Sequence, residues 1–257
     1  MNKLLKIVLG VVGVVALAIS AVFYLTSGMV KVADELFLAA SRGDTEKAYS
    51  LLSDDFKSGT SQEDLKKYFI ANSLNNFKEA SWESRSTSGG RGSLKGSITT
   101  REGGVIPITL NFVKSDSDWK IYSIQKPSSG LQVESELQMP SENEQLNLVT
   151  NSMQVFAESV NEKSMKKFHS TFSSMFKMQF TPEKLDEAYG SFYQAGVDLT
   201  VLENIEPKIN SSAAIDDNGV LVISGYYPTE PSQVKFTQKF AYEGLNWKLI
   251  GFNINIE

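Results

Sequence analysis

A single histidine, His169, carries all the imidazole chemistry this chain could perform, and no cysteine stands anywhere in its 257 residues. A histidine acting as general base needs an orienting partner and a cleft, and one acting as a metal ligand needs further ligands around it. His169 instead has Phe168 and Phe172 nearby in KSMKKFHSTFSSMF, with no second His or Cys to complete a site. It reads as a histidine at a helix boundary or on the surface. A Ser-His-acid triad would have to pass through the same residue, and no serine sits in a G-x-S-x-G elbow. Nucleophilic hydrolysis is therefore set aside. The run Gly89-Gly90-Arg91-Gly92 lacks the Lys-Ser/Thr continuation of a phosphate cradle and opens no helix, so it reads as a flexible hairpin loop. Asp116-x-Asp118 and Asp216-Asp217-Asn218-Gly219 suggest calcium, yet neither extends into a ligand loop closed by a Glu, and both stand where hairpins need turn residues.

Carboxylate and phenol chemistry is the remaining catalytic class. Tyr49, Tyr122, Tyr189, Tyr193 and Asp198 fall at helix and strand spacing that could face an interior, where an acid beside a phenol can move a proton. The same spacing suits packing residues with solvated hydroxyls, and that reading leads. An apolar ligand site has its best lead in Phe156, Phe168, Phe172, Met175, Phe176, Met178 and Phe180, more bulk than one helical core needs. Trp119 and Trp247 each open a strand. Their rings are expected over the helices, where truncation to Ala would cost about 3 to 5 kcal/mol, with an aromatic lid over a pocket as the alternative. No residue is assigned a catalytic, cofactor-binding or metal-binding role, and no cofactor is expected.

The elements that would position these residues come in two similar runs. Val30, Ala33, Leu36, Phe37 and Ala40 have helical spacing, and Arg42-Gly43-Asp44 ends that segment in a turn. A second helix is expected over residues 45–52, closed by Asp54-Asp55-Phe56, and a third from Thr60 with Glu63 as its capping partner. Strands are expected over residues 77–87, 93–101 and 105–113, the last because Ile106, Ile108, Leu110 and Phe112 alternate with Pro107, Thr109 and Asn111. A turn at residues 115–118 leads into a further strand at Trp119-Lys120-Ile121-Tyr122. Residues 128–140 read as a linker between a first domain, 30–127, and a second, 141–257. The second domain opens with a Ser141/Glu144 capping box and adds Thr181-Pro182 at a later helix start. Its strands are expected over residues 197–209, 220–227, 234–242 and 247–256, with Asp217-Asn218-Gly219 as a hairpin turn. Element by element, Phe37 is matched with Phe156, Tyr49 with Phe168, Ser61 with Thr181, Leu65 with Leu185 and Trp119 with Trp247.

Residues 1–29 read as a membrane anchor. Residues 7–25, IVLGVVGVVALAISAVFYL, are an uncharged apolar run of the length that crosses a bilayer core. Lys3 and Lys6 precede the run, so the positive-inside rule leaves the N-terminus in the cytoplasm and the later residues in the periplasm or at the cell surface. A cleaved signal peptide is the competing reading, with small-residue sites at Ala16 to Ser20. Disulfides and thiolate metal sites are excluded by the lack of Cys. The chain has 25 basic and 30 acidic residues, a formal charge of −5, and nucleic acid is not an expected partner for it.

Helices joined by short turns, then a four-stranded meander whose last strand begins Trp-Lys-Ile or Trp-Lys-Leu, resemble the ketosteroid-isomerase-like superfamily, also named after nuclear transport factor two. The resemblance spans each domain and implies a tandem, cystatin-like α+β architecture behind a transmembrane helix. Each domain would be a cone, its curved antiparallel sheet wrapped around helices with a pocket between. Isomerases of that superfamily use an Asp base and an oxyanion-stabilising Tyr or Asp. No residue here matches them one for one. Three functions stay open: a membrane-anchored, extracytoplasmic, non-catalytic interaction or assembly protein with a protein partner; a binder of an apolar small molecule; and a pocket enzyme using a carboxylate and a tyrosine. The first leads, and the enzyme stands last.

Overall fold

Helices come first and a meandering antiparallel sheet second in each of the two units into which the chain divides, between Ser128 and Ser129. The computed structural model describes residues 26–126, 139–210, 213–216 and 218–257. The expected spanning segment, residues 7–25, lies outside the described residues, as does most of the expected linker. Among the described residues no helix is long and apolar enough to cross a membrane.

In the first unit a helix through residues 26–42, α1, buries Met29, Ala33, Leu36, Phe37 and Ala40 along one stripe. Gly43, at φ 74°, turns the chain, and Asp44 caps α2 (Thr45–Ser50) by accepting from the Lys47 amide at 3.0 Å. Asp54-Asp55-Phe56 does not close α2. It opens a separate helix, α3 (Asp54–Gly59), because the Ser53 hydroxyl accepts from the Phe56 amide. The next helix, α4 (Gln62–Ala71), starts one residue later than its expected cap: Ser61 and Asp64 form the capping box, while Thr60 is buried and terminates α3.

Four strands then run in sequence order, β1 (Phe77–Ser88), β2 (Arg91–Thr100), β3 (Val105–Ser115) and β4 (Asp118–Gln125). Gly89 and Gly90 alone make the first turn, both at positive φ, so Arg91 and Gly92 belong to β2 and not to a flexible loop. The expected alternation holds only in part of β3: Ile108, Leu110 and Phe112 are buried, but Thr109 is buried as well and Ile106 is half-buried. Helices and sheet are stitched at one point: the Ser53 amide donates to the Ile121 carbonyl at 2.9 Å, and the Ile121 amide to Leu51 at 3.0 Å.

The second unit begins with α5 (Glu142–Asn161), whose Ser141/Glu144 capping box is present as expected. Its stripe of Val149, Met153, Phe156, Ala157 and Val160 is buried. Two short helices follow, α6 (Lys166–Ser170) and α7 (Ser174–Gln179), then α8 (Pro182–Ala195), with Thr181 as cap and proline at its first turn. The sheet comprises β5 (Lys208–Ile209), β6 (Ala214–Ile215), β7 (Leu221–Tyr227), β8 (Val234–Glu243) and β9 (Asn246–Ile256), ordered β5-β7-β8-β9 with β6 also on β7. A strand over residues 197–209 does not form. Asp198 Oδ1 accepts from the amide of Thr200 at 2.9 Å and from its hydroxyl, which draws the chain into a 3₁₀ turn over Thr200–Asn204 and leaves only Lys208–Ile209 extended. Here too the sheet is stitched to the helices, by the Ser173 amide donating to Leu249 at 2.9 Å.

Candidate functional site

Most of the candidate groups of the second unit are engaged in structural bonds, whereas in the first unit the buried Tyr68 hydroxyl on α4 has no hydrogen-bond partner among the described residues and burial raises its pKa. His169 is half-buried on α6, and its Nε2 donates to the Phe180 carbonyl at 2.8 Å, pinning the end of α7. Tyr49 does the same for α3, its hydroxyl donating to the Thr60 carbonyl at 3.0 Å. Tyr189 donates to the Phe252 carbonyl at 2.8 Å, and burial pushes its pKa up to about 12. Tyr193 does meet a carboxylate, Asp186 Oδ1 at 2.7 Å, but that oxygen also accepts from the Met165 amide at 2.7 Å and so ties α6 to α8. Burial first, and the Asp186 carboxylate second, push the Tyr193 phenol well above its usual range. Asp198 is spent in its turn on the surface, and the hydrogen bonds to Thr200 hold its carboxyl below the usual range. Tyr122 lies in the other unit, on β4. These residues do not converge on one cavity.

The acidic clusters are turns. Asp116 sits at φ 56° in the β3–β4 hairpin, and Asp216 Oδ1 accepts from the amides of Asn218 at 2.9 Å and Val220 at 3.0 Å. Asp217 is outside the described residues. Among the described residues no group of three or more His, Asp or Glu side chains could hold a metal ion.

The aromatic set fills space that an apolar ligand would need. Phe156 is fully buried with the rings of Phe168, Tyr189, Phe192 and Phe252 at centroid distances of 5.1, 4.9, 5.6 and 4.8 Å, three of them edge-on. The cavity beside this core, between α5 and the Thr200–Asn204 turn, measures about 30 Å³. That is room for roughly one water. The buried Tyr227 side chain lines it, its pKa pushed up to about 12 by burial and eased by a hydrogen bond to Thr150. The larger concavity of the first unit, about 600 Å³, is an open groove between α1 and β1 lined by charged residues, among them Lys31, Asp34 and Glu35. Burial raises the Asp34 pKa, an effect that Trp82 and Arg85 partly offset.

Neither Trp119 nor Trp247 is a core residue. Both are half-buried: Trp119 lies against Gly28 of α1 with the Lys114 ammonium 5.6 Å from its ring, and Trp247 packs edge-on against Tyr242 at 5.3 Å. One group escaped sequence reading. Glu243, 4% exposed at the end of β8, accepts from the amide and the hydroxyl of Ser174, each at 3.1 Å, and so holds the start of α7. Its partner lies 69 residues away, so no local pattern announces it.

The α7 segment is also where apolar side chains reach solvent. Phe172, Phe176 and Phe180 stack face to face at 3.9 and 4.6 Å, from a buried ring outward to one 40% exposed. Met175 and Met178 stand beside them, 46% and 77% exposed. Of the seven residues offered for an apolar cavity, three are therefore exposed, and the buried ones are packed against one another.

No family model matches this chain, and no curated protein matches it. Among solved structures, a cystatin-like protein from Ruminococcus gnavus ATCC 29149 aligns over 94% of this chain and 95% of that one, at 10% identity and a TM-score of 0.29. That is a weak resemblance of fold and nothing beyond it.

Proposed function

We propose that this chain is a membrane-anchored, non-catalytic interaction module acting outside the cytoplasm, built from two copies of one α+β unit. The observation that carries the non-catalytic reading is the state of the interiors and polar groups. The second unit's interior is filled by interlocked aromatics beside a one-water cavity; His169 and Tyr189 are bound to backbone carbonyls, and Tyr193 to the Asp186 carboxylate that also accepts from the Met165 amide. The anchor rests on the sequence of residues 7–25 with Lys3 and Lys6 ahead of it.

The paired-unit reading is supported by bonds. Ser53 to Ile121 is answered by Ser173 to Leu249, and the caps Ser53 on Phe56 and Ser61 on α4 by Ser173 on Phe176 and Thr181 on α8. Gly43 and Lys163 take the same left-handed turn after the first helix, and each terminal hairpin has a positive-φ residue at its turn, Asp116 or Gly244. Each also has a register shift, just before Phe112 or Phe240. This alignment pairs Tyr49 with His169, which make the same bond to the Thr60 and Phe180 carbonyls, and not with Phe168. It likewise shifts the partner of Phe156 to Leu36.

The test uses the full chain purified from its host. Native mass spectrometry should show a retained protein and no retained small molecule, and a bound small molecule would overturn the reading. A reporter active only in the cytoplasm, fused after Glu257, should be silent.

A further inference from the structure

The short helix α7 presents an apolar edge that packing does not require. Its matching helix in the first unit, α3, is held by the same kind of cap, the same stitch to the sheet and the same carbonyl bond at its end. Yet α3 carries Asp55 and Ser58 where α7 carries Met175 and Met178, and buried Thr60 where α7 ends in exposed Phe180. The charge differs as well. From Lys163 to Phe180 there are four lysines and no acidic residue, whereas the matching stretch from Gly43 to Thr60 has four acidic residues and two lysines. Lys184 adds a further ammonium at the end of α7, its Nζ 3.5 Å from the Gln179 carbonyl, against the carboxylate of Glu183 next to it and that of buried Glu243, which is spent on Ser174. Among the described residues only Lys167 of these five lysines is held in an ion pair, with Glu158.

A basic, apolar edge on a chain with a formal charge of −5 selects an anionic counterpart with an apolar layer beneath it. Met175, Met178 and Phe180 stand in solvent at 46%, 77% and 40% exposure and line neither cavity described above, so the edge suits a surface that yields and not a groove that receives. Unbranched methionines adapt to such a layer. The aromatic stack, Glu243 and His169 hold the edge rigidly, so little ordering is needed on contact.

We infer that the α7 edge of the second unit docks onto an anionic lipid surface, with Met175, Met178 and Phe180 entering the headgroup region and Lys177 and Lys184 meeting lipid phosphates. This contact is separate from the proposed anchor and goes beyond it.

The chain has no native cysteine, so Met178→Cys gives a unique attachment point for an environment-sensitive nitrobenzoxadiazole dye, and Ser58→Cys places the same dye on the matching helix. Each full-length variant is transferred from mild detergent to vesicles of phosphatidylcholine alone or with phosphatidylglycerol. The expected result is a blue-shifted, brighter dye at position 178 on anionic vesicles, quenched by spin-labelled lipid, and a water-exposed dye at position 58. Adding Lys177→Gln and Lys184→Gln should lower the fraction of inserted dye, by roughly thirtyfold in its equilibrium constant. A dye at 178 as exposed to water as the one at 58 overturns the inference, and so does a dye shielded from water but not quenched by spin-labelled lipid, which would mean that a second copy or another protein covers the edge. The anchor is scored separately. A chain retained on neutral vesicles with position 178 in water keeps the anchor and loses the inference, and a chain that leaves neutral vesicles but inserts position 178 into anionic ones does the reverse.

Discussion

Truncating Phe156 to Ala separates a filled interior from an open one. The ring is fully buried and touches four other rings at 4.8 to 5.6 Å. Its loss removes buried area and leaves a cavity whose walls come from α5, α6, α8 and β9, each held by its own hydrogen bonds, so collapse is limited. That places the cost near the upper part of the range for buried Phe, about 4 to 5 kcal/mol. For a unit of roughly a hundred residues, each kcal/mol lowers Tm by about 4 °C or more, so the second unit should melt about 15 to 20 °C earlier. Calorimetry of the full chain should show one transition moving and the other staying, because the two units are compact separately. Phe156→Leu, which keeps most of the volume, should move the same transition by a third of that or less. A loss below about 1 kcal/mol would refute the reasoning. It would mean that the site already had empty space, and it would restore the apolar ligand.

Two further outcomes follow from burial. The Tyr227 phenol titrates near 12 in the folded unit against about 10 when unfolded. The unfolded state therefore loses its proton first, and the stability this group contributes is complete below pH 10 and lost progressively as pH rises toward 12, on the order of 2 to 3 kcal/mol. The Tm read by circular dichroism should fall with pH across that window in the native chain and fall less in Tyr227→Phe, where Tyr189 still titrates; an unchanged slope would show that the Tyr227 phenol is not responsible. Trp119→Ala, removing a half-buried ring from beside Gly28, should cost about 1 to 2 kcal/mol and not the full price of a core Trp. A loss above about 3 kcal/mol by denaturant titration would place the ring in the core.

Much of the fold was legible because it is written locally. The period-two alternation in β3 and the Ser141/Glu144 and Thr181-Pro182 helix starts are decided by neighbours within a few residues. Adjacent candidates blurred the boundaries. Thr60 and Ser61 both can cap, and what decides is that Thr60 is buried at the end of α3 while the Asp64 carboxylate reaches Ser61 Oγ at 2.6 Å. Residues 197–209 are rich enough in apolar and β-branched side chains to read as a strand, but the two hydrogen bonds that Asp198 accepts from Thr200 outweighed that preference. The site was less legible because its deciding contacts are long-range. Whether Phe156 and Phe168 line a cavity or fill it depends on Tyr189, Phe192 and Phe252 arriving from α8 and β9. Sequence spacing along α5 contains nothing of that.

A fold dictates residues where it must bury or cap them and leaves the others free, and this difference can point to function where no catalytic constellation assembles among the described residues. Ser53 and Ser173, Phe56 and Phe176, Ile121 and Leu249 are explained by the bonds and packing they supply in their own units. Met178 is not: at 77% exposure it supports nothing inside the unit, and on the proposed pairing of the units Ser58 of α3 would stand at its place. An isolated exposed methionine would need no explanation. Three apolar side chains on one clamped helix, with lysines on either side and no acidic residue from Lys163 to Phe180, form a patch with a consistent character. On the paired-unit reading, the first unit shows what this helix looks like when only the scaffold is required, so the residues by which α7 differs from α3 are those on which a function of the second unit can act.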